Sequence, residues 1–228
     1  MTLVADVASW LAQPEHWSGP SGIPVRFAEH VYYSALALLA AAVIAVPAGL
    51  LTGHTGRGGF AAISLANFAR ALPTIGVLTL AVLAMGLGLV PVQAALVALA
   101  VPPVLVNTYE GVRGVDPQLT DAARGMGMRG REVLWRLEVP LAMPLILLGL
   151  RTAAIQVVST ATIAAYVGIG GLGRFIVDGQ SQQRIEQILA GALLVVVLAL
   201  AVTALFALLR RRLIAPGLRA RSAASATA

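Results

Sequence analysis

Charged residues are so sparse in this chain that their gaps carry the pattern. Residues 30–56, 71–109, 152–173 and 187–209 contain no Asp, Glu, Lys or Arg. A helix crossing the hydrocarbon core of a bilayer needs about 20 apolar residues. Windows 30–56 and 187–209 each hold one such helix, the first with Pro47 as an expected kink. Window 71–109 is too long for one helix, and Gly86, Gly88 and Pro91 divide it into two spans joined by a tight turn. The stretch from Pro140 to about Ala165 adds another, with Arg151 inside it. The pattern predicts an all-α integral membrane protein with five spans, at roughly 30–52, 62–86, 91–111, 140–164 and 187–209.

Composition agrees. Hydrophobic residues make up 58% of the 228 and charged residues 11%, against about 25% charged in a soluble domain. All 16 cationic residues are Arg, and the net charge is +6. They are scattered through short polar segments and form no continuous basic face, which argues for a membrane surface and against nucleic acid. With the N-terminus outside, the inside receives Arg57, Arg113, Arg124, Arg129, Arg131, Arg136, Arg210, Arg211, Arg212, Arg219 and Arg221. The outside keeps Arg26, Arg174 and Arg184, so eleven face three, as the positive-inside bias requires. Residues 1–29 carry Trp10 and Trp17 among prolines and no early cation. They read as an interfacial outer segment, not as a signal peptide. Residues 210–228 read as a basic, disordered inner tail.

The longest segment between spans, 112–139, is the most informative. Asp116 followed by Pro117 is a capping side chain with proline at the first helical position. Leu119, Ala122, Ala123 and Met126 recur at helical spacing, and Gly125 and Gly127 stop that helix. A second short helix starts near Arg129 and offers Val133, Leu134 and Leu137. By residue pattern alone, this knob fits either an interfacial hairpin or a docking element.

The same segment resembles the EAA motif of ATP-binding-cassette importer permeases: Glu-Ala-Ala, three residues, Gly, nine residues, an aliphatic, one residue, Leu-Pro. Here Asp121-Ala122-Ala123, Gly127, Leu137 and Val139-Pro140 stand at those positions. Asp replaces Glu and Val replaces Leu. Asn107-Thr108-Tyr109, Gly149-Leu150-Arg151-Thr152, Gly168-Ile169-Gly170-Gly171-Leu172-Gly173 and Arg70-Ala71-Leu72-Pro73-Thr74 are similar to permeases of osmoprotectant importers. The resemblance implies a non-catalytic subunit that carries glycine betaine, carnitine, choline or a similar solute. It implies paired ATPase subunits that hold ATP and magnesium, a second permease subunit (identical or paralogous) and an extracytoplasmic solute-binding protein. It makes Leu119, Asp121, Ala122, Ala123, Arg124, Met126, Gly127 and Met128 the expected ATPase contact. Arg70, Pro73, Asn107 and Arg151 are the expected translocation-path candidates.

Other classes find little support. Gly168–Gly173 fits G-x-G-x-x-G, but a dinucleotide fingerprint needs a strand–turn–helix in a soluble sheet. No cysteine is present, and His16, His30 and His54 are too scattered for a metal cluster. Without Lys the usual P-loop cannot exist. Ser159 is available, but His30 and His54 lie at the ends of the first span, so an intramembrane hydrolase is disfavoured. A secondary transporter should show inverted repeats, and none of fixed period is visible. A permease for another small solute, such as the amino acid methionine, stays open. Arg151, eleven residues past Pro140, is a path residue or a structural Arg paired with a carboxylate or with carbonyls. Arg70 and Glu110 are expected to pair.

The arginine asymmetry makes a topological prediction. A compartment reporter fused after Arg212 should be active in the cytoplasm, and activity on the opposite side would reverse the assignment.

Overall fold

The computed structural model describes residues 3–214, and every element among them is helical. A chain in hydrocarbon must pair its own N–H and C=O groups, and helices do so within one segment. Among the described residues, four helices are long and apolar enough to cross a membrane: α2 (Ile23–Thr55), α5 (Leu89–Arg113), Gly130–Val167, whose main part is α8 (Val139–Thr160), and α10 (Ile185–Leu213). Shorter ones are α1 (Leu3–Ala12), α3 (Gly59–Ala71), α4 (Thr74–Met85), α6 (Pro117–Gly125), α7 (Gly130–Val133) and α9 (Gly173–Ser181). Internal hydroxyls are absorbed locally: Thr52 donates to the Ala48 carbonyl (2.8 Å), Thr79 to Ile75 (2.8 Å) and Thr152 to Leu148 (2.9 Å).

The expectation of five spans needs correction in one place. The second, 62–86, is not a single helix but α3 and α4, of 13 and 12 residues, broken at Leu72-Pro73. Proline has no N–H and pushes the residue before it out of the helical region. Pro73 is extended (φ −61°, ψ 125°) and caps α4. The turn at Gly86 and Gly88 is where the sequence put it, both glycines having positive φ (83° and 147°). Long helices α2, α5, α8 and α10 fill the other predicted windows, α2 starting at Ile23 instead of residue 30.

The chain forms two compact units, each discontinuous in sequence. The first comprises residues 1–40, 71–100 and 154–202. Its core joins Trp10, Ile23, Val158, Leu172, Phe175, Ala190 and Leu198. Trp10 is only 5% exposed, so it does not float among lipid headgroups as the sequence suggested; Trp17, at 51%, stays exposed. Trp10 stacks on His16 (3.8 Å between ring centres) and meets Phe175 edge-on. The His16 Nδ1–H donates to the Trp10 carbonyl at 2.7 Å.

A polar clasp closes the glycine run of this unit. The Glu29 carboxylate accepts the Gly171 N–H (2.8 Å) and an Arg26 N–H (3.0 Å). His30 is fully buried. Its Nε2–H donates to the Val158 carbonyl (2.9 Å), while Nδ1 accepts the Leu172 N–H (3.2 Å). A carbonyl only accepts and an amide N–H only donates, so these two bonds fix the neutral Nε2–H tautomer. A Cβ on Gly170 would collide with the Glu29 carboxylate.

The second unit comprises residues 41–70, 101–153 and 203–228. Its core is Leu50, Val112, Ala142 and Ile146, flanked by Val46, Val139 and Leu150. Along α2, Ala41, Ala45, Gly49 and Gly53 recur every four residues on a buried face. A Cβ at Gly49 would sit 2.6 Å from Thr108 Cβ, and one at Gly53 2.8 Å from Val112 Cβ. Small residues let the backbones of α2 and α5 approach closely, which matters where lipid supplies no hydrophobic drive. Gly149 of α8 does the same against Asn107 (2.8 Å).

Gly49→Leu should therefore destabilise the chain by about 1–3 kcal/mol through overpacking. Leu51→Ala, at a lipid-facing position 63% exposed, should cost less than about 0.5 kcal/mol. Thermal melts of the two variants in one detergent test the ordering.

Candidate functional site

The segment from Asp116 to Pro140 folds by local chemistry. The Asp116 carboxylate accepts the Gln118 N–H at 2.9 Å, and Pro117 occupies the first turn of α6. The C-terminus of α6 is a Schellman motif. Gly127 N–H donates to the Arg124 carbonyl (2.9 Å) and Met128 N–H to the Ala123 carbonyl (3.1 Å). The residue between helix and turn reversal must be left-handed, and Gly127 has φ 90°. A Cβ there would meet nothing within 4 Å. Glycine at 127 is thus required by conformation and not by packing.

Reversal leads into α7. The Glu132 carboxylate reaches back to the Arg129 N–H (2.9 Å), half of a capping box. Val133 of α7 is fully buried, and α6 packs against α7. A π-helical turn, Leu134–Glu138, then joins α7 to α8. At its end Glu138, 5% exposed, accepts a 2.6 Å hydrogen bond from His54 Nδ1 at the end of α2. A carboxylate only accepts, so this nitrogen carries the proton. Gly130 lies close enough that a Cβ would be 3.5 Å from the other ring nitrogen of His54. The knob is thereby tied to α2 by a short polar contact that residue spacing did not reveal, since the partners are 84 positions apart.

Leu119 and Ala122 of α6 and Met126, which caps its C-terminus, form an exposed face, Met126 being 78% exposed. Asp121 and Arg124 flank it and form a loose ion pair at 3.7 Å. Met128 is half-buried. Ala123, at the edge of the same stripe, is covered and only 4% exposed. It belongs to the knob's own interior, so a bulky side chain there would disturb the knob before it disturbed anything docked outside. The available surface is small, apolar and rimmed by one charge of each sign.

The remaining candidates lie elsewhere. The Arg70 side chain and its expected pairing with Glu110 fall outside the described residues; Glu110 itself is exposed. Pro73 sits at the break between α3 and α4. Asn107 is half-buried, and its amide donates to the Pro103 carbonyl of its own helix at 2.7 Å. Arg151 lines a groove between α8 and α10 and has a buried Nε without a hydrogen-bond partner. Among the described residues no cluster of three His, Cys, Asp or Glu side chains fits a metal.

Residues 45–219 match the family described as binding-protein-dependent transport system inner membrane components. The chain is 36% identical over 191 residues to the glycine betaine/carnitine/choline transport system permease protein OpuCB of Bacillus subtilis, covering 84% of this chain and 88% of that one. It is 36% identical to the carnitine transport permease protein OpuCB of Listeria monocytogenes, covering 76% and 80%. The fold matches a chain of the inward-facing MetNI methionine ABC transporter with a TM-score of 0.75, at 19% identity, covering 90% and 100%.

The Schellman turn generates a prediction. Gly127→Val should strain the turn by about 1–2 kcal/mol, and Gly127→Asn by less, because Asn tolerates left-handed backbone. Amide hydrogen exchange at Met128 should accelerate in that order. Unchanged exchange in Gly127→Val would show that the turn does not depend on its glycine.

Proposed function

This chain belongs to the binding-protein-dependent transport system inner membrane components, and on that premise we propose that α6 and its turn couple it to an ATPase subunit. The observation that carries the reading is the exposed Leu119–Ala122–Met126 face on a helix rigidly closed at both ends. A preorganised face loses little entropy on docking. Ala122 allows close backbone approach, Leu119, Met126 and Met128 supply apolar area, and Asp121 and Arg124 form the rim. Ala123 and Gly127 hold the shape. The His54–Glu138 contact and the turn into α8 transmit motion of the knob to α2 and α8.

In the full assembly two permease subunits, identical or paralogous, enclose one path. Two ATPases bind ATP and magnesium, and a solute receptor docks on the opposite side. Closure of the ATPase pair draws the two knobs together and opens the path toward the receptor; hydrolysis resets it. The arginine distribution supports an N-out, C-in orientation. The names of the relatives support a small quaternary ammonium osmoprotectant, such as glycine betaine, carnitine or choline, as solute. Arg70, Pro73 and Asn107 are path candidates, as is Arg151, which lines a groove of its own.

Ala122→Trp tests the coupling face, because this alanine is exposed and its replacement leaves the knob's interior intact. Bulk at a close contact costs about 1–3 kcal/mol, so ATPase affinity should fall roughly 5- to 150-fold. Asp121→Ala should fall less. The measurement is co-purification of the ATPase at matched expression. Full retention and full transport in Ala122→Trp would reduce the knob to an interfacial hairpin.

A further inference from the structure

The groove lined by Arg151, an expected path residue, is not explained by the coupling role of the knob. It has a volume of about 590 Å³ and lies within the second unit, between α8 and α10. Leu145, Leu148 and Phe206 form apolar walls, and Arg151, Arg210 and Arg211 also line the cavity. Leu145 and Leu148 are 37% and 46% exposed. No carboxylate lines the groove among the described residues. The sequence of α8 contains no Asp or Glu, and that of α10 only Glu186, in its first turn. Arg151 therefore lacks the carboxylate on either helix that would make it a simple structural ion pair. An arginine this deep in an apolar helix needs a partner or water.

We propose that this groove binds an anionic phospholipid. Its phosphate sits among Arg151, Arg210 and Arg211, and one acyl chain lies along Leu145, Leu148 and Phe206. Arginine suits phosphate because its planar fork donates two parallel hydrogen bonds. Basic pockets between membrane helices recognise anionic headgroups by this chemistry. The apolar walls favour a lipid over a free anion, which would gain nothing from them. On α10, Arg210 lies four residues beyond Phe206, one helical turn; on α8, Arg151 lies beyond Leu145 and Leu148, so its long side chain would reach back past them to share the phosphate. The lipid would brace α10, the least buried of the long helices, against α8. The proposal needs only that the chain spans a membrane and does not depend on the ATPase reading.

The test uses the full-length chain in nanodiscs containing equal parts phosphatidylglycerol and phosphatidylcholine, released into native mass spectrometry. The wild type should retain phosphatidylglycerol preferentially. Arg151→Gln and Arg210→Gln should each lower that retention about five-fold. Ala207→Trp, an exposed groove position, should block the acyl chain and lower retention with every arginine in place. Arg131→Gln, an exposed arginine outside the groove, should change nothing. Equal retention in all variants overturns the proposal. So does displacement of the lipid by excess inorganic phosphate, which would mark a free-anion site. A change in oligomeric state or in solute transport with lipid retention unchanged also overturns it, in favour of a subunit interface or a path role for Arg151.

Discussion

The constraint on which this molecule rests is that its solvent offers the backbone nothing. Inside hydrocarbon an unpaired N–H or C=O costs several kcal/mol, so an apolar chain must take the one local structure that pairs every such group. That dictates helices and leaves their association unspecified, because lipid tails are as apolar as leucine. Specificity has to come from shape. In the second unit it comes from Ala41, Ala45, Gly49 and Gly53, a strip of α2 so smooth that Thr108 and Val112 of α5 lie almost on its backbone. Large apolar residues are largely turned outward instead, as with Leu39, Val43 and Leu51 on the same helix.

The knob between α5 and α8 follows the opposite rule. Water competes for its backbone groups, so its shape is held by side-chain caps and a glycine turn. Asp116 closes one end of α6, Gly127 the other, and Glu132 starts α7. These are short-range devices, each within a few residues of the group it satisfies. Where the knob meets the membrane helices, local devices are insufficient, and a buried carboxylate takes over: Glu138 against His54. A buried polar group needs a partner, and this contact ties the root of the knob to α2.

This division also explains what the sequence disclosed. Charge-free windows located the long helices because lipid tolerates few charges, and caps and turns located α6 because their partners are near in sequence. The break at Pro73 was hidden because an apolar window reads the same whether one helix or two fill it. Proline alone did not decide, since Pro47, Pro102, Pro103 and Pro144 all remain inside helices. Trp10 was misplaced because amphipathic composition does not say whether a ring faces lipid or Phe175. Ala123 was grouped with the docking face because helical spacing identifies a stripe about 100° wide, not which edge of it is covered. The His54–Glu138 and Glu29–Gly171 contacts join residues 84 and 142 positions apart, and nothing in a single sequence marks such pairs.

The glycine run 168–173 shows why a motif is read through its surroundings. Its spacing imitates a phosphate-binding loop, and it does precede a helix, α9. Successive N–H groups at such a loop form a concavity that favours an anion. Here the concavity is already filled from within: Gly171 donates to the Glu29 carboxylate and Leu172 to His30. The missing side chain at Gly170 is what lets Glu29 enter. The same physics that would draw in a pyrophosphate instead fastens the end of one membrane helix to the start of another. A glycine loop aimed at a ligand leaves its donors unspent; this one has used them on its own chain, so its resemblance to a nucleotide site and its lack of one have a single cause.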